Sequence, residues 1–99
     1  MSAPILAFPK PSRLKSPAYL AWIKAQQCLI CTLKAEPQHT KTRAAGGSDY
    51  RALPFCRRHH QQCHNLGVVS FQKKFSIDFQ EEIIRHLEIY LAELEGGQE

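Results

Sequence analysis

Acidic residues are scarce through most of this chain, and long apolar runs are missing altogether. From Met1 to His60 there are ten Lys and Arg but only two acids, Glu36 and Asp49; the other seven acids lie between Asp78 and Glu99. No stretch approaches the roughly 20 apolar residues that a membrane-crossing helix needs. Residues 1–15 carry a few apolar side chains, but Pro4, Pro9 and Pro11 interrupt them, so they do not read as a secretory signal. No internal repeat is visible. The expectation is a soluble protein of a reducing cytoplasm with no membrane partner. At 99 residues the chain makes one small domain, whose limited apolar core would gain from a structural metal.

What is present is a set of metal-ligating residues at short spacing. Cys28-Leu-Ile-Cys31 is one half-site and Cys56-Arg-Arg-His59 is another. Two such pairs, brought from separate segments, have the ligand count and chemistry of a closed tetrahedral zinc site. Cys63 competes for the fourth position, but it lies nearly two helical turns beyond Cys56, and His59 is preferred. The four cysteines could instead form two disulfides. A Cys-x2-Cys knuckle among five histidines, in a chain without a secretory signal, argues for metal.

Local patterning places these residues on elements. Ser16-Pro17 is a helix start, Ser as cap and Pro in the first turn. The helix is expected to run to about Gln27, with Leu20, Ile23 and Trp22 on its buried side. Residues 32–55 should form two short strands around a glycine-bearing loop at 44–48. A helix is expected over 57–65, closed near Gly67, then a short one over 71–75. Asp78 should cap a last helix to about Leu94, with Phe79, Ile83, Ile84, Leu87, Tyr90, Leu91 and Leu94 as its apolar stripe. Residues 1–15 read as a basic, proline-rich arm, 16–95 as the single domain and 96–99 as a frayed tail.

Three more histidines stand apart from the quartet. His60 and His64 are four apart and share a helix face, turned away from that of His59. Such a pair can hold a divalent ion and leave positions for water and phosphate; a phosphate-contacting or helix-end role for His64 is the plainer alternative. His39 sits among Lys41 and Arg43, and an imidazole can take a proton from water near neutral pH. Positive charge gathered around a metal favours a polyanion, DNA or RNA. Lys41, Arg43, Arg57 and Arg58 are the candidate phosphate contacts, although Arg57 and Arg58 could equally be solvated helix residues.

Taken together, Cys28-x2-Cys31, the segment Pro37-Gln-His-Thr-Lys-Thr-Arg-Ala-Ala-Gly-Gly-Ser-Asp49, the segment Leu53-Pro-Phe-Cys-Arg-Arg-His-His60 and His64 resemble the small HNH endonucleases. The likeness is greatest to the compact forms of bacteriophages and prophages, and it covers roughly residues 17–80. It implies an α+β fold with a ββα-metal core and zinc knuckles, flanked by an N-terminal and a C-terminal helix. It implies a metal-dependent enzyme that hydrolyses DNA phosphodiester bonds in the cytoplasm of a bacterial host cell. In such enzymes the residue matching His39 is the general base. Those matching His60 and His64 hold a catalytic divalent metal such as Mg²⁺, Mn²⁺, Ni²⁺ or Zn²⁺, and the knuckles hold structural Zn²⁺. Two positions depart from the pattern. Gln38 stands where many members place an Asp or His ligand. The middle Asn has no counterpart, although Asp49 lies near its place and could orient the His39 loop, serve as a ligand, or simply form a turn. A zinc module that binds nucleic acid without cutting it, or a degenerate HNH fold, is the alternative.

Overall fold

The computed structural model describes residues 14–40 and 47–96. The order of elements is α1 (Pro17–Lys24), β1 (Glu36–His39), a 3₁₀ turn (Asp49–Arg51), β2 (Ala52–Phe55), α2 (Arg57–Leu66), α3 (Val68–Phe75) and α4 (Phe79–Gly96). The described residues thus form a small α+β domain of four α-helices and a two-stranded sheet. No described helix is long and apolar enough to cross a membrane.

β1 and β2 pair antiparallel, with Glu36 opposite Phe55, Pro37 opposite Pro54, Gln38 opposite Leu53 and His39 opposite Ala52. Neither proline can donate to the ladder, which a two-stranded sheet tolerates because each strand has a free edge. Every residue of β2 is buried. Leu53 and Phe55 enter the main core with Cys28, Cys56, Cys63, Phe71 and Phe79. Phe55 and Phe71 meet edge to face with centroids 5.5 Å apart. Phe71 is fully buried, so truncating it to alanine would cost about 3–5 kcal/mol.

α1 begins as expected: Ser16 Oγ accepts from Tyr19 N at 3.1 Å, and Pro17 occupies the first turn. It stops at Lys24 rather than Gln27. The reason is tertiary: the chain must reverse into the knuckle, and Gln27 bridges Lys34 across it. Its buried residues are Tyr19 and Ile23, with Leu20 and Trp22 only half-buried. Tyr19 anchors an aromatic group, its ring 5.3 Å from Tyr50 and 4.8 Å from Tyr90. Trp22 Nε1 donates to Glu93 Oε1 at 2.8 Å, fastening α1 to α4.

The turn between α2 and α3 depends on Gly67. Its φ of +90° suits only glycine; its N–H closes α2 on Cys63 O and its carbonyl opens α3 toward Phe71 N. α3 therefore starts at Val68, three residues before the expected Phe71. Asp78 Oδ1 accepts from Gln80 N at 2.9 Å and caps α4. The expected stripe of α4 is covered only in part. Phe79 and His86 are buried, whereas Ile84, Leu91 and Leu94 are about half exposed. α4 also reaches Gly96, where a frayed tail was expected. The 1–15 arm up to residue 13, the loop residues 44–46 and residues 97–99 lie outside the described residues.

Candidate metal centre

The Cys28–Cys31 knuckle is a tight reversal. Thr32 N returns to Cys28 O at 3.0 Å and Cys28 N to Leu33 O at 2.8 Å. Thr32 has φ of 64°, a conformation rarely taken by a β-branched residue and kept only where the surroundings enforce it. Opposite the knuckle, Cys56 is the cap residue of α2 and His59 lies in its first turn. A hairpin strand running straight into a helix therefore delivers one ligand pair, and a loop delivers the other.

The two pairs meet. One donor atom each from Cys28, Cys31, Cys56 and His59 lies within 4.8 Å of all the others. Cys31 Sγ and Cys56 Sγ are 3.6 Å apart, Cys56 Sγ and His59 Nδ1 3.3 Å, and Cys28 Sγ and His59 Nδ1 3.6 Å. Ordinary Zn–S and Zn–N bonds in a tetrahedron would set these separations at about 3.8 Å between sulfurs and about 3.6 Å from sulfur to nitrogen. The four residues could therefore hold a metal ion such as zinc. All four cysteines of the chain are free thiols.

Protonation inclines the same way at two of the four candidate ligands. Burial pushes the Cys28 thiol up, but backbone N–H groups at Cys56, Cys31 and Ile30, with the Cys31 thiol, outweigh it and hold it below its ordinary value. Burial, with Arg58 and Lys74 nearby, holds His59 below the usual imidazole range and so neutral, as a ligand must be. Cys31 goes the other way. The Leu33 N–H lowers it, but desolvation and its bonds and charge interaction with Cys28 and Cys56 leave it raised. One thiolate in the cluster makes the next harder to form until a cation arrives.

Cys63 stays outside the cluster. It is buried in the core, and that burial pushes its thiol up while the Gln38 side chain works against it. Gln38 is itself 3 % exposed, and its Oε1 has no hydrogen-bond partner among the described residues. Alternation along β1 turns His39 to the other face. There His39 Nε2 meets Asp49 Oδ1 at 2.8 Å, while Asp49 Oδ2 accepts from Ser16 N at 2.8 Å. On α2, the rings of His60 and His64 stack with centroids 4.9 Å apart.

His60 Nδ1 lies 2.7 Å from Glu36 Oε1, a contact the sequence reading missed. Its only signal was that Glu36 is one of two acids in a basic stretch. Arg57 Nη2 reaches Glu36 at 3.4 Å from an exposed position, and Arg58 is exposed. Lys41 and Arg43 lie outside the described residues. Among the described residues, the quartet is the one group of three or more ligand-type side chains that converges.

Comparison with known proteins adds kinship without chemistry. The chain is similar to "Uncharacterized protein YdfU" of Escherichia coli (strain K12), 32 % identical over 93 aligned residues. The match covers 88 % of this chain but 26 % of the relative, so the chain spans about a quarter of that protein's length. No solved structure matches. Residues 2–90 match the family described as "Protein of unknown function (DUF968)", and the chain belongs to that family.

Proposed function

We propose that this protein is a metal-dependent HNH endonuclease that hydrolyses DNA phosphodiester bonds, of the compact bacteriophage and prophage type. The observation that carries the reading is the unit formed by β1, β2 and α2, stapled at its base by the Cys28, Cys31, Cys56 and His59 quartet. That unit has the strand, strand, helix order of a ββα-metal core. His39 lies on the first strand and His60 and His64 on the helix, an arrangement that supports the HNH reading.

In this reading the quartet holds structural zinc and takes no part in the reaction. His39 accepts a proton from a water molecule, the water oxygen attacks phosphorus, and the bond from phosphorus to the 3′ oxygen breaks. His60 and His64, stacked on consecutive turns of α2, would hold a divalent cation whose charge offsets that on the scissile phosphate and the departing oxygen. Lys41, Arg43, Arg57 and Arg58 would grip neighbouring phosphates without reading sequence.

A second reading is a zinc module, or a degenerate HNH fold, that binds nucleic acid without cutting it. It is favoured by Gln38, which is buried against Cys63 and supplies no open ligand. Nicking of supercoiled plasmid with Mg²⁺, Mn²⁺ or Ni²⁺, against chelator, separates the two. The nuclease reading expects metal-dependent nicking that His39→Ala slows on the order of 10²–10⁴-fold, with zinc content, circular dichroism and DNA affinity unchanged. A wild-type protein that fails to nick with every one of these metals would make the second reading the better one, and a His39→Ala protein that cuts at the wild-type rate would remove His39 from the chemistry.

A further inference from the structure

Only two acids precede Asp78 in this chain, and each meets a histidine outside the zinc quartet. We infer that Asp49 and Glu36 are positioning residues that fix opposite ring tautomers, leaving Nδ1 of His39 and Nε2 of His60 as the bare nitrogens. The inference rests on the nuclease reading for its consequences, but its first test does not.

The argument is one of donors and acceptors. An ionised carboxylate can only accept a hydrogen bond. At 2.8 Å from Asp49 Oδ1, His39 Nε2 must therefore carry the proton, and its Nδ1 is then the nitrogen with a free lone pair. At 2.7 Å from Glu36 Oε1, His60 Nδ1 must carry the proton, which leaves Nε2 to meet a cation. Imidazole ligands of metals commonly donate their second N–H to a carboxylate in this manner, which fixes the ring and raises its basicity. Asp49 is suited to the task because it is itself held. It is 3 % exposed, and its second oxygen takes the Ser16 N–H at the start of α1. His39, at the end of β1, is thereby oriented by a carboxylate anchored to a different element. Glu36 is looser and shares its charge with the exposed Arg57.

Long-range ¹H–¹⁵N correlation spectra of the full chain, ¹⁵N-labelled at histidine and carrying its metal, read the tautomers directly. The expected result is His39 protonated at Nε2 and His60 protonated at Nδ1. Either ring in the other tautomer, or averaged between the two, overturns the assignment for that residue. Asp49→Asn offers an amide that can donate as well as accept. It should mix the His39 tautomers and lower kcat on the order of 10²–10³-fold with KM within about threefold. Glu36→Gln should weaken Mn²⁺ binding about 10-fold or more, while Arg57→Ala should leave the His60 tautomer alone. Zinc content and circular dichroism verify that each variant folds, and the wild-type spectra stand without any variant. If Asp49→Asn keeps both the wild-type tautomer and the wild-type rate, Asp49 only ties α1 to the strand and the inference fails. If the wild type cuts nothing but shows the expected tautomers, the nuclease reading fails and the hydrogen-bond assignment stands.

Discussion

Tyr19 sits with its ring fully buried among Tyr50, Tyr90 and Trp22, and its hydroxyl has no partner among the described residues. Burial, reinforced by Tyr90, pushes its phenol up to about 12. The folded state thus keeps this proton after the unfolded chain, near the ordinary value of about 10, has lost it. The associated stability is fully present below pH 10 and is lost as pH rises through 12. At pH 10.5 the loss through this one group should be on the order of 1 kcal/mol. Tyr19→Phe should lose less between pH 7 and pH 10.5 and be at least as stable at pH 7, since it removes an unpaired buried hydroxyl. Urea unfolding of both proteins at the two pH values checks this; an equal alkaline loss in the variant would show that Tyr19 is not its source. Nothing in the sequence distinguished Tyr19 from its neighbour Leu20, because a helix of about two turns leaves the buried face undetermined by a residue. The Cys28, Cys31, Cys56 and His59 cluster was legible because short-spaced thiol and imidazole pairs have few uses other than holding a metal. The Glu36–His60 contact was not, because it depends on the register that sets β1 against α2.

At the scale of elements, ends marked by a residue's own chemistry were easier to read than ends set by packing. Ser16, Asp78 and Gly67 signal through local hydrogen bonding and φ, which belong to the residue itself. α1 ends early although Ala25, Gln26 and Gln27 suit a helix, because the knuckle requires a reversal there. α4 shows the converse. Its apolar stripe is real, but a period of 3.6 says nothing about how much partner surface exists, and the body of the domain leaves Ile84, Leu91 and Leu94 half uncovered. A metal held by the quartet would couple loop and helix, so its loss should act on the whole unit. Cys28→Ser is expected to abolish stoichiometric zinc and lower Tm by more than about 10 °C, several kcal/mol at this size. Cys63→Ser, in the same core but outside the quartet, should keep one zinc per chain and lose only about 1–3 kcal/mol. Elemental analysis with thermal unfolding reads both. Zinc lost from the Cys63 variant and kept by the Cys28 variant would exchange their roles.

For the molecule as a whole, charge divides the chain into a basic part that carries every candidate metal ligand and a C-terminal helix rich in acids. If the basic part grips a nucleic acid, each neutralised phosphate releases counterions and affinity must fall steeply with salt. The candidates differ in cost. Arg57 is 88 % exposed at its side chain and holds Glu36 only at 3.4 Å, a surface pair worth little, so turning to a phosphate would cost it little. Charge-removing changes at Lys41, Arg43 and Arg58 should each flatten the plot of log affinity against log salt by about one unit per lost phosphate contact, and equally for unrelated sequences. Glu88→Gln, on the acidic helix, should leave that slope alone, because the slope counts neutralised phosphates and Glu88 neutralises none. Fluorescence anisotropy with duplexes of differing sequence, from low to physiological salt, measures each slope. Binding indifferent to salt would remove the electrostatic grip, and a steeper slope for Glu88→Gln would mean that α4 itself lies against the phosphates.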